Sequence, residues 1–275
     1  MKRRGFTVLE LSVTLVIIGL IVSAVLAGKS LIENSKVNTF ITELNKYKSA
    51  YTSFKDKYGK PPGDFDHAFQ IWGTNCSTSE YLGNVSLCNG GGDGYIYYLI
   101  TAQDGTSYPT ADENRFAWKH LQLAGLVEQS FQIFSSDTSH NPFVPGTDSP
   151  VSAAFSAVGF NFDGYRDYCT SFSTTKWPTP FYPQLGNVIN FGQTDNSSNC
   201  YLVQAGLTSQ QMLSIDIKMD DGKLISTGAT GAITGKFRAA DAKVVATGSC
   251  AAAATGIYNT TNTDLACIGS YWVQD

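Results

Sequence analysis

The sequence predicts an α+β protein: a long N-terminal α-helix, membrane-spanning in its first half and amphipathic in its second, packed on a disulfide-stabilised globular head with an antiparallel β-sheet and additional helices. Three observations predict it. Residues 6–28 are an apolar run of 23 residues carrying a single charge, Glu10. From Val37 to Tyr58 apolar residues recur at steps of three and four, the spacing of one helix face. Beyond Pro61 and Pro62, short apolar and aromatic runs separated by Gly, Pro and Asn alternate with further helical patterns.

Composition sets the outer bounds. The 275 residues are 43% apolar and 12% aromatic, enough to bury a core. Net charge is -4, unevenly placed: residues 1–58 hold nine Lys/Arg against four acids, residues 59–275 ten against nineteen. So acidic a remainder argues against nucleic acid as a partner, because that affinity comes from basic groups displacing counterions. Six cysteines (Cys76, Cys88, Cys169, Cys200, Cys250, Cys267) lack any C-x-x-C pair, which speaks against a zinc ribbon and for disulfides. Of fifteen connectivities, pairing of sequential neighbours is expected: Cys76 with Cys88, Cys169 with Cys200, Cys250 with Cys267. Such pairing implies an oxidising compartment, and the alternative is a set of buried thiols.

Lys2, Arg3 and Arg4 precede the apolar run and Lys29 follows it, which by charge asymmetry places the N-terminus in the cytoplasm and the rest outside. As a helix, 23 residues reach about 34 Å, sufficient for a bilayer core. A cleaved secretory signal, a plain anchor and a segment processed at its start all fit this outline. Val25, Leu26 and Ala27 before Gly28 have the small-residue cleavage pattern of a signal. Glu10 counts against both a signal and a plain anchor. An intramembrane carboxylate costs about 2.5 to 3.5 kcal/mol at a helix centre and less near its end, and a lone helix holds no partner charge for it.

"RRG" followed by "FTVLELSVTLVIIGLI" resembles the N-terminus of type IV prepilins and pseudopilins, with a short basic leader, Gly5 as its last residue, Phe6 as the new N-terminus and a Glu five residues into the mature chain. The resemblance implies that an inner-membrane prepilin peptidase cuts between Gly5 and Phe6 and N-methylates Phe6. The chain then divides into a leader at 1–5, a long helix at 6–58 whose residues 6–28 are the transmembrane and polymerisation segment, and an extracytoplasmic head at 59–275. It further implies that Glu10 of one subunit pairs with the Phe6 amine of its neighbour. Each charge is costly in the bilayer until the other arrives, so the pair selects register as well as contact.

The second half of the helix presents Val37, Phe40, Ile41, Leu44, Tyr47, Tyr51, Phe54 and Tyr58 to the head, and with no proline before Pro61 it is expected to run unbroken. Pro62 and Gly63 then reverse the chain, and Asp64 is expected to cap a short helix over 67–71. "YGKPPGDFDHAFQIWG" resembles a segment after the long helix of pilin-like proteins. "CNGGGDGYIYYLI" reads as a flexible start and a β-like end, with Asp93 a turn residue or a calcium ligand. Thr110 and Glu113 form a predicted capping box for a helix bearing Phe116, Leu121, Ala124 and Val127 on one side. Its His120 reads as packed or surface rather than catalytic. Residues 155–162, 187–191 and 201–204 read as short strands. For 208–219, alternation of Leu213, Ile215, Ile217 and Met219 argues a hairpin, whereas Thr208 and Gln211 as a capping box argue a helix, which the resemblance of "IDIKMDDGK" to pilin-like relatives favours. Asp216, Asp220 and Asp221 gather charge there. They read as solvated acids, or as a calcium set of the kind some pseudopilins carry in a C-terminal loop.

No G-x-S-x-G elbow, phosphate loop or H-E-x-x-H is present, and His67, His120 and His140 lack metal-ligand spacing. The expectation is a non-enzymatic structural subunit, of minor or tip type given a head of about 217 residues, in a type IV pilus or a type II secretion pseudopilus. Its implied partners are other pilin-like subunits, the prepilin peptidase and, before assembly, the inner membrane; calcium is the only candidate cofactor. The rival is an extracytoplasmic binding protein or enzyme whose first 27 residues are a signal or anchor.

Overall fold

The computed structural model of the chain describes residues 7–76, 88–96, 100–101, 107–108, 113–131, 144–164, 186–194, 202, 204–220, 222, 235–242, 245–246, 248–252 and 257–273. Helix α1 (Val8–Tyr58) is continuous over 51 residues, about 77 Å. It ends where Gly59 takes the left-handed conformation (φ 76°) and donates its N–H to the Lys55 carbonyl at 2.8 Å, with Pro61 beyond. The predicted stripe is realised: Val37, Phe40, Leu44, Tyr47, Ala50, Tyr51 and Phe54 are buried.

In chain order there follow α2 (Ala68–Trp72), a 3-10 turn (Gly73–Cys76), the short pair β1 (Ile100–Thr101) and β2 (Ser107–Tyr108), α3 (Glu113–Leu123), β3 (Gly159–Asp163), β4 (Val188–Gly192), β5 (Leu207–Thr208), α4 (Ser209–Met219), β6 (Phe237–Asp241), the short pair β7 (Ala251–Ala252) and β8 (Ile257–Tyr258), and β9 (Leu265–Trp272). Among the described residues five strands make one antiparallel sheet in the order β3-β4-β9-β5, with β6 also on β9.

Strand alternation gives this sheet two chemically different faces. Phe160, Phe162, Ile189, Phe191, Phe237 and Tyr271 form the aromatic face under α1. Phe40 meets Phe160 and Phe191 at ring separations of 5.4 and 5.1 Å, Tyr51 meets Phe162 at 5.7 Å, and Trp118 of α3 meets Tyr47 and Phe162 at 5.1 and 4.5 Å. Burying each such ring contributes about 1.5 to 3 kcal/mol. The other face carries Asn161, Asn190, Ser270 and Arg238 in direct cross-strand register, all buried.

The predicted strand at 155–162 starts later, at Gly159, because residues 152–158 form a turn closed by Ser152 N–H to Val158 C=O and Val158 N–H to Phe155 C=O, both 2.8 Å. Of 201–204, Leu202 and Gln204 are described, and Gln204 bridges Gln193 rather than joining a strand. Residues 209–219 are helix, capped by Thr208 and Gln211 as expected. Cys76–Cys88 and Cys250–Cys267 are bonded, with Cα atoms 5.7 and 5.0 Å apart; Cys169 and Cys200 lie outside the described residues.

Candidate functional site: the N-terminal helix and its clasp on the head

Gly5 and Phe6 lie outside the described residues; Glu10 sits in the first turn of α1. Thr7, extended (φ -80°, ψ 151°), is the N-cap. Its N–H and its hydroxyl both donate to Glu10 Oε2 at 2.9 Å, and its Oγ1 accepts from the Glu10 N–H at 3.3 Å. This is a reciprocal capping box, satisfying two backbone donors that a helix start otherwise leaves unpaired. Glu10 thus has a partner within its own helix, which the sequence reading did not assign. The signal was legible in the spacing T-x-x-E. The other polar residues of the run bond back to the preceding turn: Ser12 Oγ to Leu9 C=O, Thr14 Oγ1 to Glu10 C=O and Ser23 Oγ to Gly19 C=O, at 2.7 to 2.9 Å. Their apolar neighbours are exposed, from Val8 (86%) and Leu20 (67%) to Leu31 (72%) and Ile32 (59%). Helix α1 is long and apolar enough to cross a membrane.

Burial begins at Val37, and polar clasps hold this part of α1 to the head. Gln211 caps α4 with its Oε1 on the Thr208 N–H (3.0 Å) while its Nε2 donates to Glu33 (3.1 Å), holding the Glu33 carboxyl below its ordinary pKa. Lys218 Nζ donates to Asn38 at 2.8 Å. Glu43 accepts from Ser152 Oγ (2.6 Å) and the Ala153 N–H (2.7 Å). Asn187 Nδ2 donates to Tyr51 Oη at 2.9 Å; burial pushes the Tyr51 phenol up to about 12.

At the far end of α1 a node of buried polar groups binds three segments. Asp64 does not cap α2. Its residue is buried at the turn and its carboxylate accepts from the Asp93 and Gly94 N–H groups at 2.9 and 2.8 Å, so that α2 starts after His67 with no side-chain cap. Desolvation lifts Asp64 to about 6, against the pull of those N–H groups. Glu113, at the start of α3, accepts from the Gly91 N–H at 2.6 Å; Thr110 lies outside the described residues. His120 is fully buried, and burial lowers it to about 4. It accepts at Nδ1 from Gly63 N–H (2.9 Å) and so is protonated at Nε2, which donates to the Cys88 carbonyl (2.8 Å). The loop expected to be flexible at 89–94 is instead pinned by two carboxylates, and Asp93 acts as a turn residue, its Oδ1 accepting the Tyr95 N–H.

The candidate calcium ligands are dispersed among protein partners. Asp216 is buried and accepts from Tyr258 Oη at 2.9 Å, Asp220 accepts from the Phe237 N–H at 2.9 Å, and Asp221 lies outside the described residues. Among the described residues no three His, Cys, Asp or Glu side chains gather to hold a metal ion.

Comparison with known proteins matches residues 1–26 to the family model described as the prokaryotic N-terminal methylation motif. No curated protein and no solved structure matches the chain. The family match spans the basic residues, Thr7, Glu10 and most of the exposed apolar part of α1, and stops before the helix reaches the head. Over residues 1–26 the chain therefore carries the cleavage and methylation motif of type IV pilins and pseudopilins.

Proposed function

We propose that the protein is a structural subunit of a type IV pilus or a type II secretion pseudopilus, made as an inner-membrane precursor with its N-terminus in the cytoplasm and its head outside. The prepilin peptidase cuts between Gly5 and Phe6 and methylates the new amine. The exposed apolar part of α1 then leaves the bilayer to pack against the same segment of sister subunits, Glu10 meeting a neighbour's Phe6 amine. The observation that carries this reading is the methylation motif feeding without interruption into a helix exposed from Val8 to Ile32 and clasped to a head from Glu33 onward. A surface of that size and apolarity needs a cover, first lipid and then other helices. A head of about 217 residues restricts dense tiling and favours a minor or tip position. The reading assigns the head no catalytic residue and no cofactor.

Mass spectrometry of the mature N-terminus tests it. N-methyl-Phe6 is expected; a chain beginning at Gly28 overturns the reading in favour of a secreted binding protein or enzyme. Copy number relative to other subunits in purified filaments tests the minor position, which equal numbers would refute.

A further inference from the structure

We propose that Thr7 is a positioning residue for assembly, holding the Glu10 carboxylate at the helix start so that one oxygen serves its own chain while the other remains for a neighbouring subunit. The inference rests on the assembly reading above. Both hydrogen bonds that Glu10 receives from Thr7 end on Oε2, and among the described residues none ends on Oε1. A carboxylate accepts at both oxygens, so the capping box occupies Oε2 and leaves Oε1 without a partner among the described residues, on a side chain that is exposed.

Two consequences follow from this division. A free glutamate side chain loses rotamer freedom when a partner fixes it, and here the intrachain box has already removed that freedom, so an incoming ammonium meets an oriented acceptor. The box also satisfies the Thr7 and Glu10 N–H groups, which in hydrocarbon have no water to turn to. The subunit therefore waits in the membrane with its carboxylate hydrogen-bonded rather than bare. Valine at position 7 keeps the size and branching of threonine but removes the hydroxyl that both donates to and accepts from Glu10.

The experiment uses the full-length precursor in cells holding the complete assembly system, scoring cleavage after Gly5, membrane level and the fraction recovered in filaments. Thr7→Val is expected to be cleaved and retained in the membrane like the unaltered protein, yet to enter filaments about three- to thirtyfold less efficiently, the range of a lost helix cap. Thr7→Ser, which keeps the hydroxyl, restores entry. Glu10→Gln keeps the cap but not the charge, and Glu10→Ala loses the charge and the acceptor for the Thr7 N–H; both fail in entry while their membrane levels hold. Thr7→Val entering filaments at the unaltered level overturns the proposal, as does a serine variant that fails like valine. If the unaltered chain is not cleaved after Gly5, it is the assembly reading that fails.

Discussion

The imidazole of His120 joins Gly63 to Cys88: Nδ1 accepts from the Gly63 N–H at 2.9 Å and Nε2 donates to the Cys88 carbonyl at 2.8 Å, linking the turn after α1 to the first disulfide through one buried ring. The ring lies against Phe54 of α1 at 5.9 Å, nearly parallel. One side chain from α3 thus fixes where the long helix hands the chain to the head.

His120 and Asp64 give pH effects of opposite sign. His120 is held at about 4 against an ordinary 6.5, so between those values the unfolded chain carries the extra proton. Its contribution is full above about pH 6.5 and is lost as pH falls towards 4. Asp64 is raised from 3.8 to about 6, so there the folded chain carries the proton; its contribution is greatest below about pH 4 and is lost as pH rises through 6. Each amounts to roughly 3 kcal/mol. In thermal unfolding of the full chain in detergent between pH 4 and 6.5, His120→Gln should tilt the profile, relative to the unaltered protein, towards lower stability at the higher pH. Asp64→Asn should tilt it the other way; identical tilts would contradict the assignment.

Gly63 has φ 91°, and a Cβ there would run into the Glu113 carbonyl oxygen. Gly63→Ala should therefore cost more than 2 kcal/mol or so, combining a left-handed conformation with a backbone clash. Gly59→Ala, with the same handedness but open space around it, should cost about 1. Chemical denaturation of the two variants checks the ordering.

Gln211 faces two ways, closing the cap of α4 and donating to Glu33 of α1. Gln211→Ala should lower stability by about 1 kcal/mol. Gln211→Glu preserves the capping box but sets a second carboxylate against Glu33, so it should be the worse of the two at low salt and approach alanine in 0.5 M or so of NaCl. Unfolding midpoints at the two ionic strengths decide it.

The two ends of α1 should respond differently to truncation of a side chain. Phe40, fully buried among Phe155, Phe160 and Phe191, should cost about 3 to 5 kcal/mol as Phe40→Ala. Leu20→Ala, on the exposed run, should leave unfolding of the head unchanged and reduce recovery in filaments. Near-ultraviolet circular dichroism against denaturant measures the first effect and filament fractionation the second.

Replacing Cys76 and Cys88 by serine should destabilise by about 2 to 4 kcal/mol. Because His120 bonds the Cys88 carbonyl, that loss and the His120→Gln loss should not add; a coupling above about 0.5 kcal/mol in a double-mutant cycle is expected.

What was legible in the chain was local. The helix stripe from Val37 to Phe54 needs only spacing, the α4 cap only four residues, and the Cys76–Cys88 and Cys250–Cys267 loops are short enough for neighbour pairing to be the natural choice. Asp64 reads as a local cap because its true partners, Asp93 and Gly94, are 29 and 30 residues away, and a cap is the nearest visible use for an acid beside a turn. The row of Asn161, Asn190, Ser270 and Arg238 escaped for the same reason, since register between distant strands decides it. At the N-terminus the pattern identified Glu10 through its cost in hydrocarbon, whereas the role of Thr7 needed the geometry of the helix start.

Strand β9 bonds to β4, β5 and β6, all of which precede it in the chain. During synthesis these three strands therefore keep an edge unpaired until residues 265–272 are made. Closure of the sheet is coupled to the arrival of β9. A chain interrupted before β9 presents open strand edges, ready to pair with another chain, rather than a finished sheet.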